Sequence, residues 1–242
     1  MTKHLTKPIR TIHFLVLAFL MTLTSPVAAQ DFQKGLAAFQ AGDYATTLQE
    51  WTPLAEAGLA QAQTNLGFIY EYGHGVLQDY KEAVKWYRLA AEQGTASAQT
   101  NLGNKYKFGE GVLQDYKEAV KWYRLAAEQG DAFGRNALGG MYNDGKAVLQ
   151  DYKKAVQLFE LAALQGLASA QTNLGRNYYI GHGVLQDNVL AHMWSNIAAA
   201  NGSENGGSNR DKISKGMTPA AIEKAQAMAR GCMSSGYTKC GY

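Results

Sequence analysis

Val76-Leu77-Gln78-Asp79-Tyr80-Lys81-Glu82-Ala83-Val84-Lys85-Trp86-Tyr87-Arg88-Leu89-Ala90-Ala91-Glu92-Gln93-Gly94 recurs without a change from Val112 to Gly130. The interval is 36 residues, and the same register continues through Asp131–Gly166 and Leu167–Gly202. A fixed period of this length marks a repeat architecture, because one supersecondary unit cannot bury its apolar face and must stack on a neighbour. Chains of this kind usually bind other macromolecules and seldom do chemistry.

Each unit reads as two helices around a glycine turn. Ala62, Leu66 and Tyr70 recur every fourth residue and share one side of a first helix. Gly73-His74-Gly75 breaks it, since glycine reaches backbone angles other residues avoid. Asp79 is expected to cap the second helix, with Glu82 completing a capping-box-like pair, and Asp115 with Glu118 repeats this. Asp43, Asp151 and Asp187 keep the cap alone. Tyr80, Ala83, Val84, Tyr87 and Ala91 form the apolar stripe of the second helix, which Gly94 ends. Leu66, Leu102, Leu138 and Leu174 are expected in the core. Gly67, Gly103, Gly139 and Gly175 interrupt the first helix at about 1 kcal/mol each relative to Ala, so close packing is expected to compensate. The Trp86/Trp122/Trp194 and Tyr70/Tyr106/Tyr142/Tyr178 series read as packing positions rather than a ligand cage.

The pattern Ala62-x3-Leu66-Gly67-x2-Tyr70-x2-Gly73-x-Gly75-Val76-x2-Asp79-x3-Ala83-x2-Trp86-Tyr87-x2-Ala90-Ala91-x2-Gly94 resembles the Sel-one-like repeat family, relatives of tetratricopeptide repeats. The resemblance covers residues 59–202 in strict register. It implies an all-α fold, an α/α solenoid wound as a right-handed superhelix of helix-turn-helix repeats. It also implies a scaffold for protein complexes, frequently in bacterial envelopes. The expected organisation is a signal peptide at 1–29, an N-terminal capping helix pair at 30–58, and repeats at 59–94, 95–130, 131–166 and 167–202. A loop and capping helix with a Cys pair follow at 203–242. Pro53 is expected to kink its helix, Asn201–Gly216 to form a loop or poor helix, and Thr218-Pro219 to start a short final helix over Ala220–Arg230.

Lys3, Lys7 and Arg10, the apolar run Phe14–Leu23, and small residues at Val27 and Ala29 fit an export signal cut near Ala29–Gln30; a retained anchor is the rival. The chain carries 23 Lys+Arg against 20 Asp+Glu, and the segment before the cut holds all three excess cations. The remainder is neutral, which gives no electrostatic reason to expect nucleic acid or an anionic membrane. Localisation is expected to be periplasmic or secreted. The only cysteines, Cys232 and Cys240, read as a disulfide in that setting, with no neighbouring His for a metal site.

Positions that differ between near-identical repeats are candidates for a partner face: Phe68, Glu71 and Tyr72; Asn104, Lys107 and Phe108; Asn143 and Asp144; Arg176 and Tyr179. Equivalent positions should form rows along the first helices, which usually line the concave side of such solenoids. Neutral drift on solvated positions explains the same differences, and Tyr72 with its equivalents can be partly core. His74 and His182 read as solvated turn residues, not metal ligands, and no cofactor is expected. Catalysis is not expected: there is no Ser-x-x-Lys, Lys-Thr-Gly, phosphate loop or Ser/His/Asp grouping, and the repeats lack the Cys pairs of β-lactamase-like relatives. The expected function is thus an exported interaction scaffold or adaptor with protein partners. The alternatives are a periplasmic immunity or inhibitor protein against a toxin such as a phospholipase effector, a binder of host proteins, and, least favoured, a β-lactamase-like enzyme.

Overall fold

The computed structural model describes residues 26–240, and every regular element among them is a helix. The helices are α1 (Pro26–Gln40), α2 (Tyr44–Glu56), α3 (Ala60–Tyr72), α4 (Tyr80–Glu92), α5 (Ala96–Phe108), α6 (Tyr116–Glu128), α7 (Ala132–Asp144), α8 (Tyr152–Ala163), α9 (Ala168–Ile180), α10 (Asn188–Ala200), α11 (Glu204–Ser214) and α12 (Pro219–Ser234). They form two compact units, the first ending at Gln93 and the second beginning at Gly94. The expected signal peptide lies outside the described residues except for its last four, which open α1.

In the first unit α1 pairs with α2 and α3 with α4, and α2 packs on α3. Trp51, Ala55, Ala62, Leu66, Ile69 and Trp86 form its core. Trp51 stacks with Phe32 and Phe39 and donates its indole N–H to the Phe32 carbonyl at 3.1 Å. In the second unit α5/α6, α7/α8 and α9/α10 are the pairs, joined where α6 meets α7 and α8 meets α9. One core, including Tyr123, Leu138, Phe159, Leu174 and Trp194, runs on to Ala225 and Cys232 of α12. Leu66, Leu102, Leu138 and Leu174 are buried as expected, each worth about 1.5–3 kcal/mol of burial.

The turns are hydrogen-bonded structures. Gly73, Gly109, Gly145 and Gly181 each end a first helix in the left-handed conformation. Gln78, Gln114, Gln150 and Gln186 then donate back to the carbonyls of Glu71, Lys107, Asn143 and Tyr179. The expected aspartate caps form: the Asp43, Asp79, Asp115, Asp151 and Asp187 side chains all accept backbone N–H groups. Glu82 and Glu118 do not complete a capping box. The Asp79 and Asp115 N–H groups go to the Tyr70 and Tyr106 carbonyls instead, which leaves the glutamates to pair with Lys85 and Lys121.

The glycines inside the first helices admit an aromatic ring from the second. A Cβ at Gly67 would meet Tyr87 at 2.5 Å, one at Gly103 would meet Tyr123 at 2.6 Å, and one at Gly139 would meet Phe159 at 2.8 Å. Buried amides join successive pairs. Gln63 Nε2 donates to the Ala55 carbonyl and Gln171 Nε2 to that of Ala163, while Arg135 Nε reaches the Ala127 carbonyl in the third repeat.

Two further expectations are corrected. Residues 204–214 form a helix, because Ser203 caps it through the Gly206 N–H, Gly206 sits against Ala198, and Ile213 is buried. Helix α2 runs to Glu56 with Pro53 in its last turn. His74 is stacked rather than simply solvated, its ring 4.9 Å from that of Tyr44 and 5.6 Å from that of Phe68. His182 lies 4.1 Å from Tyr152 in the same way, and at the equivalent turn Lys146 sits over Tyr116 at 5.4 Å.

The tail closes on the solenoid end. Thr218 caps α12 with Pro219 at its first position, as expected, although the helix continues to Ser234. Cys232 and Cys240 are at disulfide distance, with Cα atoms 4.2 Å apart. Their loop carries Tyr237 in the left-handed conformation and places its hydroxyl on the Asn201 side chain and its ring over Gly166.

Candidate interaction groove

The first helices of the second unit, α5, α7 and α9, together with α11, line three adjoining cavities of about 460, 530 and 220 Å³. Gly140 and Asn173 line both the first and second, and Arg176 and Ile180 both the second and third, so the three form one groove. Gly140 has open space where a Cβ would be. With a bare backbone at this point, nothing divides the first cavity from the second.

Carboxamides line the wall of the groove. Asn173 Nδ2 donates to Asn136 Oδ1 at 3.0 Å, and Asn136 Nδ2 reaches Ser169 at 3.3 Å. Asn101 and Asn104 line the same cavity from α5, where the Asn104 oxygen accepts the Tyr123 hydroxyl at 2.7 Å. A carboxamide both donates and accepts, so such a row matches the alternating N–H and C=O groups of an extended chain. Phe108 and Phe133 line this cavity and are 59% and 60% exposed. They supply apolar surface on a polar wall, a combination found where proteins meet.

The candidates from the sequence divide between the two units. Asn104, Lys107 and Phe108 line the first cavity, Asn143, Asp144 and Arg176 the second, and Arg176 with Tyr179 the third. Phe68, Glu71 and Tyr72 belong to the first unit. There Phe68 and Tyr72 join an aromatic cluster with Phe39, Tyr44 and His74, and the Glu71 carboxylate accepts the Tyr87 hydroxyl at 2.6 Å. Tyr72, Phe108 and Ile180 are exposed, so this row lies outside the core.

Comparing copies for differences passed over several groove residues. Asn101 and Asn173 repeat one another and Asn65, with only Ala137 of the third copy differing, so they stand out little, and Phe133 and Asn136 lie at positions not compared. A search for polar residues on the first-helix face, constant or not, would have found them. The buried Lys105 was also passed over; its ammonium pairs with Glu110 at 2.7 Å. Among the described residues no group of three or more His, Cys, Asp or Glu is placed to hold a metal ion, and no helix is long and apolar enough to cross a membrane.

The Sel1 repeat model matches residues 60–95, 96–131, 132–167 and 168–203. Among solved structures, the chain is 32% identical to c5321, described as a protective antigen of uropathogenic Escherichia coli with an SLR fold (TM-score 0.71). That match covers 93% of this chain but 50% of c5321, so the chain spans about half of that relative. A Sel1 repeat protein from Oxalobacter formigenes is also 32% identical, with 90% of this chain and 97% of the other covered and a TM-score of 0.70. A Sel1 repeat protein from Klebsiella pneumoniae shares the fold at 20% identity and a TM-score of 0.53, with 81% and 98% covered. Comparison with curated proteins finds no match. Sel1 repeats typically mediate protein–protein interaction. With the matched repeats covering more than half of its length, the chain belongs to the Sel1 repeat family and is an all-α solenoid of helix pairs.

Proposed function

We propose that this protein is an exported, non-catalytic interaction module of the bacterial envelope that holds a polypeptide segment of a partner in the groove along α5, α7, α9 and α11. The carboxamide row beside two exposed phenylalanines carries this reading, since it pairs backbone recognition with apolar anchors. The apolar run after Lys3, Lys7 and Arg10 and the Cys232–Cys240 pair support export. A photocrosslinking amino acid at Phe133 or Asn104 should trap discrete partners in living cells, and the same group at Lys224 on α12 should not. An identical adduct pattern from all three positions would refute the groove as the binding face. Recovery of the protein in the cytoplasm with Met1 retained would refute export.

A further inference from the structure

The groove is unevenly charged. Lys107, Arg176 and Lys212 line it, and Lys146 stands next to it on the turn after α7. The two carboxylates among the lining residues are already engaged. Asp131 accepts the Gly134 N–H at 2.6 Å and the Thr100 hydroxyl at 2.7 Å, and Asp144 takes the Asn143 amide and lies 3.8 Å from Lys146. Lys107, Arg176 and Lys212 have no ion pair among the described residues; Lys107 and Lys212 lie over the rings of Phe108 and Tyr179. Burial holds Lys107 below the usual lysine range, and the like charge of Lys146 adds to this, with Asp144 opposing. An added carboxylate beside Lys107 and Lys146 would relieve that repulsion. The positive face stands out because the chain beyond residue 29 is neutral, its excess of three cations being Lys3, Lys7 and Arg10.

Taking this groove as the polypeptide site proposed above, we infer that it selects acidic segments, with partner carboxylates received by Lys107 and Arg176 and the partner backbone by Asn101, Asn136 and Asn173. The apolar rim supplies affinity common to many sequences, and the unpaired cations supply the preference among them.

The test uses the intact protein and a display library of random short peptides. Wild type should enrich Asp and Glu in the recovered peptides by about threefold, as two solvent-accessible charge pairs allow. The enrichment should fall at high ionic strength. Lys107→Gln with Arg176→Gln should still recover peptides but lose the acidic bias, whereas Arg176→Lys and the α12 control Lys224→Gln should keep it. Replacing the exposed rim by Phe108→Ser with Phe133→Ser should abolish recovery altogether. Peptides of ordinary or Lys/Arg-rich composition from wild type would overturn acidic selection while leaving the groove as the binding site. Recovery that ignores the rim double variant would overturn both. Circular dichroism of each variant separates loss of binding from loss of fold.

Discussion

Gly139 and Gly140 are neighbours in the interior of α7, and alanine should be less well tolerated at the first than at the second. Either replacement gains about 1 kcal/mol of helix propensity. At Gly139 the new Cβ would lie 2.8 and 2.9 Å from two ring carbons of Phe159 and 3.3 Å from the Ala155 carbonyl. Phe159 is 2% exposed, so its ring cannot swing clear, and overpacking of this kind costs about 1–3 kcal/mol. At Gly140 nothing lies within 4 Å. The propensity gain is common to both, so the difference between the variants isolates the overpacking cost. Gly140→Ala should be more stable than wild type, and Gly139→Ala should fall about 1–3 kcal/mol below Gly140→Ala. For a chain of this size that separates their melting temperatures by roughly 2–12 °C. Repeat arrays can lose two-state behaviour, so amide hydrogen exchange across α7 and α8 is the more direct readout. Equal protection in the two variants, or greater protection in Gly139→Ala, would refute the account of these glycines as seats for the second-helix ring.

Three further perturbations test other parts of the fold. Ala147 occupies the left-handed region at φ 57°, where the other turns place Gly75, Gly111 and Gly183, so Ala147→Gly should raise the urea midpoint by the equivalent of about 1 kcal/mol. Lys105 is 1% exposed and pairs with the partly exposed Glu110, while Met141 fills the equivalent site in the next repeat. Glu110→Gln should therefore cost about 1–3 kcal/mol, and Lys105→Met should remove most of that penalty in a double-mutant cycle. His192 is buried with Nδ1 unpartnered; burial and then Arg210 hold it below its ordinary value of 6.5, with Asp211 opposing. The unfolded chain thus binds this proton more readily, so the His192 contribution is present above pH 6.5 and is lost as pH falls below that value and through the lower one of the folded state. His192→Leu should flatten the fall in urea midpoint between about pH 7.5 and about pH 5.

The fold was legible because its determinants are local and repeated. Asp79, Gly94 and Leu66 each do one job in four registers, so a single sequence supplies four readings of each. Where a residue appears once, the reading weakened. Gly206 and Gly207 looked like breakers between Asn201 and Gly216, yet Gly206 is a packing glycine against Ala198, a tertiary fact with no local signature. Glu82 matched the spacing of a capping box, but the Asp79 N–H was already taken by a carbonyl nine residues earlier. His74 looked like a polar turn residue because its stacking partner, Tyr44, belongs to the preceding helix pair. The candidate site was half legible. Side chains that vary between copies led to Lys107 and Arg176, but Asn101 and Asn173 are the same residue on one wall in the second and fourth repeats, with Ala137 between them. Constancy between copies does not imply burial either. The Val-Leu-Gln-Asp segment is the same in all four repeats, and its Leu77, Leu113, Leu149 and Leu185 are 90–91% exposed.

The third repeat departs furthest from the others, and its departures build the groove. Asp131 gives α7 a side-chain cap that α5 and α9 lack and ties it to Thr100. Phe133 replaces the serines at positions 97 and 169, and Gly140 stands where other copies carry Phe68, Asn104 and Arg176. Removing a side chain there costs helix propensity without any packing return, because no ring occupies the space. A cost of about 1 kcal/mol with no structural compensation is what a binding surface carries when openness matters more than stability. Gly140→Phe, which restores the residue of the first repeat, should therefore leave the chain at least as stable as wild type. It should also obstruct the junction of the two larger cavities and reduce peptide recovery several-fold. A variant that is stabilised and still recovers peptides like wild type would show that partners do not cross Gly140, and the continuous groove would have to be divided there.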